Sequence, residues 1–113
     1  MKIVLKSEFN RGDLVISVAG HDRGDLLIIL DPESEPSREG APRYLVADGR
    51  RRSVARGKLK QKNRLHLRMT EPGFALCLPT DLPPPLTQEA YDLDAHLRRL
   101  IKDYTVGQSG KKY

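Results

Sequence analysis

The chain has 113 residues, 38% of them hydrophobic, enough for one domain with a modest core and too little for a second independent one. No eighteen apolar residues follow one another, and Met1–Leu5 runs straight into Lys6, Glu8, Arg11 and Asp13, so neither a membrane span nor a secretory signal is expected and the chain reads as cytoplasmic. A single cysteine, Cys77, permits no internal disulfide and cannot by itself hold a zinc ion, and the net charge of +5 takes on meaning only through its distribution.

In chain order, residues 1–9 read as an N-terminal arm. Gly12 to Ala19 is a short β-branched run ending at Gly20, with Leu14, Ile16 and Val18 on one face of a strand and Val15, Ser17 and Ala19 on the other. Leu26 to Leu30 is apolar throughout. The loop Gly20-His21-Asp22-Arg23-Gly24 between the two runs is short enough to join antiparallel neighbours, so a hairpin is expected. Arg11-Gly12-Asp13-Leu14 recurs as Arg23-Gly24-Asp25-Leu26, twelve residues on, which fits two strand starts in one hairpin.

Residues 31–43 hold four acids, three prolines and Gly40, and read as an exposed loop. Tyr44 to Ala47 is a third strand candidate. Asp48-Gly49 is a strong hairpin signal, with a fourth strand expected over Arg50 to Ala55 and only its Val54 side deeply buried. Leu59 to Leu67 allows a short closing strand. Pro72, Gly73, Pro79, Pro83, Pro84 and Pro85 make the following segment an extended linker. Thr87 is a good N-cap with Leu86 as the hydrophobic residue before it. Ala90, Leu93, Leu97, Leu100, Ile101 and Tyr104 then form one apolar stripe of a helix over 87–105, ended by Gly107 and followed by a frayed tail, 106–113. The stripe is expected to cover one open end of a barrel formed by the strands.

The charge is sharply divided. Residues 1–48 carry −3 and residues 71–113 carry −1, while residues 49–70 hold nine basic side chains and no acid: Arg50, Arg51, Arg52, Arg56, Lys58, Lys60, Lys62, Arg64 and Arg68. Such a segment makes a local positive field that points to a polyanionic partner, and arginine grips phosphate bidentately where lysine is a point charge. If five to eight of these residues each neutralise a phosphate, log K falls against log salt with a slope of roughly −4 to −7. The chain has no Trp, and Tyr44 is the only aromatic near the segment, so recognition of backbone shape in folded or duplex RNA is expected over stacking of splayed bases.

The series of strand, Gly20–Gly24 loop and strand, followed by Tyr44-Leu45-Val46-Ala47-Asp48-Gly49, Arg51, Arg52, Val54, Lys58, Lys60, Lys62, Asn63, His66 and Leu67, resembles the small bacterial KOW-domain RNA-binding proteins, relatives of KOW-containing large-subunit ribosomal proteins of archaea and eukaryotes. The chain departs from that family in carrying His21 where a second basic residue is usual, and in its longer segments 31–43 and 71–85. The resemblance implies a mainly β fold: a five-stranded SH3-like barrel over residues 10–68, a Pro-rich linker over 69–86 and one C-terminal helix. It implies RNA, rRNA above all, as the partner, with ribosomal proteins as neighbours and a role in translation. The candidate RNA-binding residues are Gly20, Arg23 and Gly24 of the glycine loop, where backbone N–H groups can approach a phosphate, together with the nine cations from Arg50 to Arg68.

His21 with Asp22, and Cys77 with His66 or His96, are the only pairs that suggest catalysis. Neither has a third orienting group at a recognisable spacing, and the three histidines show no ligand spacing, so no enzymatic activity, cofactor or metal is expected. Two rival classes stay open: a protein-interaction module docking a translation or transcription partner, and a nonspecific DNA binder. The sequence names neither the RNA nor the oligomeric state.

Overall fold

The computed structural model describes residues 9–32, 43–75, 78–79 and 81–110. Five strands, β1 (Leu14–Ser17), β2 (Leu26–Pro32), β3 (Arg43–Ala47), β4 (Lys60–Asn63) and β5 (Leu67–Glu71), form one antiparallel sheet in the order β4-β3-β2-β1-β5, followed by a single helix, α1 (Gln88–Gly110).

The β1–β2 hairpin forms as its pattern predicts, with Leu14 opposite Ile28 and Val15 opposite Leu27, and the two Arg-Gly-Asp copies precede its two strands. Strand alternation sends Leu14, Ile28 and Leu30 to one face, where they meet Ala47, Val54, Ala55 and the helix residues Ala90, Leu93 and Leu97. Val15, Leu27, Ile29 and Val46 face the other way into a second cluster with Phe9, Tyr44 and Leu67. Burial on both faces is why Leu26 to Leu30 carries no polar residue.

Several expectations need correction. Arg50 to Ala55 is not a strand but a bend followed by a turn, because carboxylates take the backbone donors that a strand would use. The closing strand over Leu59 to Leu67 is instead two, β4 and β5, joined by one 3-10 turn at Arg64–His66 that is capped by the Asn63 side chain accepting from the Leu65 N–H at 2.8 Å. Strand β5 runs to Glu71, past residue 68 and into the expected linker.

The helix starts where expected, with the Thr87 hydroxyl accepting the Ala90 N–H at 3.2 Å, but it continues through Gly107 to Gly110, so residues 106–110 are helical. Leu86 does not clip the helix start: it is 75% exposed at φ +67°, held by its N–H donating to the Ala55 carbonyl at 2.9 Å. The stripe packs into one apolar cluster with Leu14, Ile28, Leu30 and Ala47 of β1–β3, with Leu100, Ile101 and Tyr104 half-buried and Tyr104 meeting Phe74 edge-on at 5.7 Å. Most of the acidic loop (33–42), Cys77, residues 1–8 of the N-terminal arm and residues 111–113 of the tail lie outside the described residues. Among the described residues no helix is long and apolar enough to cross a membrane.

Candidate nucleic-acid interface

The loop from Asp48 to Gly57 is the centre of the basic segment, and it is shaped by two carboxylates. Asp48 accepts the N–H groups of Arg50 (2.8 Å) and Arg52 (3.0 Å), and the N–H groups of Asp48 and Gly49 donate back to the Arg52 carbonyl. Asp94, buried on the helix, accepts the Ser53 hydroxyl at 2.5 Å and the N–H groups of Val54 (2.8 Å) and Ala55 (3.1 Å). Loop and helix also touch at Gly49, which sits at φ +82°, its carbonyl accepting from Arg98 at 2.7 Å; a Cβ there would clash with the Asp94 carbonyl oxygen.

This docking aligns cations from two distant parts of the chain. Arg50, Arg51 and Arg56 from the loop, with Tyr91, Asp94 and Arg98 from α1, line a groove of about 810 Å³. An adjoining depression of about 420 Å³ is lined by Arg50, Arg98, Arg99, Lys102 and Asp103. Arg51 is 3.3 Å from Asp25, an exposed pair worth at most about 1 kcal/mol that leaves the guanidinium accessible.

Two predicted site residues are turned inward. Asp22, its side chain 1% exposed, receives three hydrogen bonds from Arg52 (2.9–3.2 Å) and lies 3.6 Å from the Nζ of Lys62, itself 4% exposed and donating to the Ala19 carbonyl. Burial alone would raise the Asp22 pKa, but the Arg52 hydrogen bonds and charge, with Lys62 and Lys60, outweigh it and hold the carboxyl below its ordinary value.

The glycine loop is likewise committed to its own shape. Gly20 and Gly24 take φ of +79° and +88° around a 3-10 turn, Gly20–Asp22, and the N–H groups of Arg23, Gly24 and Asp25 donate to the carbonyls of Gly20, Ser17 and Asp22. Those three N–H groups are therefore not available to cradle a phosphate, and Arg23 contributes an exposed charge.

The other cations of the segment do not line this groove. Lys60 and Lys62 line a separate hollow of about 420 Å³ with Gly20, Arg43 and His66. Arg64 sits 5.6 Å above the Phe9 ring, Arg68 is exposed on β5, and Lys58 is exposed beyond Gly57. The basic segment thus divides between a groove against the helix, an interior ion cluster and a second surface at β3–β4.

Sequence reasoning missed Arg98, Arg99, Lys102 and Tyr91. A signal was present: Tyr91, Ala95, Arg98 and Lys102 follow one another at helical spacings along one flank of the apolar stripe. Among the described residues no group of three or more His, Cys, Asp or Glu could hold a metal ion. In comparisons with known proteins, no family model and no curated protein matches the chain.

Proposed function

We propose that this is a noncatalytic RNA-binding protein of the KOW type, associated with ribosomes or translation in the cytoplasm, that holds the RNA backbone in the groove between the 48–57 loop and α1. The observation that carries this reading is the convergence of Arg50, Arg51, Arg56 and Arg98 on one cavity, continued by Arg99 and Lys102. Among the described residues no carboxylate lies within 4 Å of the charged groups of Arg50, Arg56, Arg98, Arg99 or Lys102. Cations left unneutralised side by side repel one another, and a polyanion removes that repulsion.

An SH3-like barrel is supported by the meander β1–β4 with β5 returned beside β1, by the 3-10 turn between β4 and β5, and by the apolar cluster on the sheet face away from the helix. The ribosomal partner, with rRNA as the ligand, comes from the resemblance of residues 10–68 to the KOW proteins.

Binding of fluorescent duplex RNA across a salt series tests the proposal. With Arg52 and Lys62 held inside, four to six groove cations remain, and a slope of log K on log salt of about −3 to −5 is expected. A slope near zero overturns the phosphate-binding reading. Duplex DNA at matched salt separates RNA recognition from general polyanion affinity.

A protein-docking role has one observation of its own. On the opposite flank of α1 a cleft of about 390 Å³ is lined by Pro79, Pro83, Leu93 and His96 with Asp81, Glu89 and Asp92 at its rim. Partners retained by the protein after nuclease treatment at high salt would favour this reading.

A further inference from the structure

We infer that the groove between the 48–57 loop and α1 receives an unpaired nucleotide of the RNA, its base stacked on Tyr91 and its phosphate held by Arg50, Arg56 and Arg98. This rests on the RNA-binding reading and narrows it to RNA carrying a single-stranded extension, bulge or loop.

Tyr91 is placed against the ordinary economy of this fold. The chain has six Phe and Tyr residues; Phe9 and Tyr44 are buried, and Phe74 and Tyr104 pack edge-on against each other. Tyr91 instead stands 48% exposed in the wall of the groove. An aromatic ring beside guanidinium groups is the combination that single-stranded nucleic acid uses, since every base has a π face and every nucleotide a phosphate. A continuous duplex hides its base faces within the stack, so a ring in this position serves it little.

The geometry suits one nucleotide. Tyr91 and Arg98 are seven residues apart on the same helix face, about 10 Å along the axis, and helix side chains lean toward the N-terminus, which brings the Arg98 guanidinium back toward the ring. Across from them stand Arg50 and Arg56. The cavity of about 810 Å³ lies within the usual size for sites that enclose a small ligand. Its walls are preset: Arg98 is tied to the Gly49 carbonyl by one of its five donors, and the Asp94 oxygens are occupied by Ser53, Val54 and Ala55.

The test compares two labelled probes at one ionic strength: a blunt RNA duplex, and the same duplex extended by a short single-stranded adenosine tail. Each is titrated with the full-length protein and with Tyr91→Phe, Tyr91→Ala and Arg56→Glu, and thermal unfolding checks each variant's fold. The tail should strengthen binding to wild type and Tyr91→Phe by roughly tenfold. Tyr91→Ala should lose that advantage, its tailed-to-blunt affinity ratio falling to about one, and Arg56→Glu should weaken both. A tail advantage that survives in a folded Tyr91→Ala protein, or that wild type never shows, overturns the stacking assignment while duplex binding upholds the RNA reading. Failure of wild type to bind either probe at low salt sinks the RNA reading itself, and this inference with it.

Discussion

Asp22 shows how one carboxylate can withdraw two cations from a surface. Arg52 and Lys62 belong to the basic segment, yet both converge on a buried carboxyl thirty and forty residues earlier in the chain. Asp22→Asn leaves these two positive charges close together and uncompensated, so a loss of about 3 kcal/mol is expected in urea unfolding near neutral pH. The folded chain holds Asp22 below its ordinary pKa of 3.8, so the unfolded chain takes up the proton first as acid is added. The stabilisation is therefore complete above about pH 4 and lost as pH falls through the folded value, below which the two proteins' unfolding midpoints should converge. Asp94 makes the matching prediction for the groove. Asp94→Asn cannot accept from Ser53, Val54 and Ala55 as before, and should lower the midpoint of thermal unfolding by roughly 5–10 °C while weakening RNA binding without touching the RNA. An unchanged midpoint would show that the loop holds its shape without this acceptor. At this scale the sequence was legible only locally. Asp48-Gly49 marks a turn, but nothing near it reveals that Asp94, about forty-five residues on, takes the next backbone donors and stops a strand from forming.

Elements were legible in proportion to their apolar rhythm. Strands β1, β2 and β3 and the stripe of α1 carry the pattern that burial demands, and they form close to their expected bounds. Strand β4 is Lys-Gln-Lys-Asn, with no apolar residue at all; it exists because the edge of β3 offers partners from Arg43 to Val46, and because Lys62 finds a buried carboxylate where a core residue would otherwise point. Leu86 exposes a local conflict of the opposite kind. Its φ of +67° is unfavourable for a branched side chain, and its 75% exposure means that little packing is gained. Leu86→Gly should relieve about 1–2 kcal/mol of backbone strain and give back part of it through the freer unfolded chain, a net gain of roughly 0.5–1 kcal/mol in urea titration. A net loss would mean that the Leu86 side chain holds the helix start in place.

For the whole molecule, the charge distribution along the chain indicated a cationic surface without locating it. Two of the nine cations of residues 49–70, Arg52 and Lys62, are turned onto Asp22, and the groove lined by Arg50, Arg51 and Arg56 borrows Arg98, with Arg99 and Lys102 beside it, from a segment whose own net charge is −1. Fold geometry, which linear charge counting ignores, therefore decides where the cations gather. Reversing Arg50 and Arg56 together should weaken RNA binding at least tenfold more than reversing Arg43 and Lys60 together, measured at the same salt. Equal losses would mean that the RNA spans both surfaces and that the groove is not the principal contact. The reliance of the 48–57 loop on α1 also has a temporal side. During synthesis the arginines of the loop emerge long before Tyr91, Asp94 and Arg98, so a half-made copy carries the charge without the cleft that organises it. On the proposed function, competence to grip RNA there arrives late, once the helix has been made and has docked.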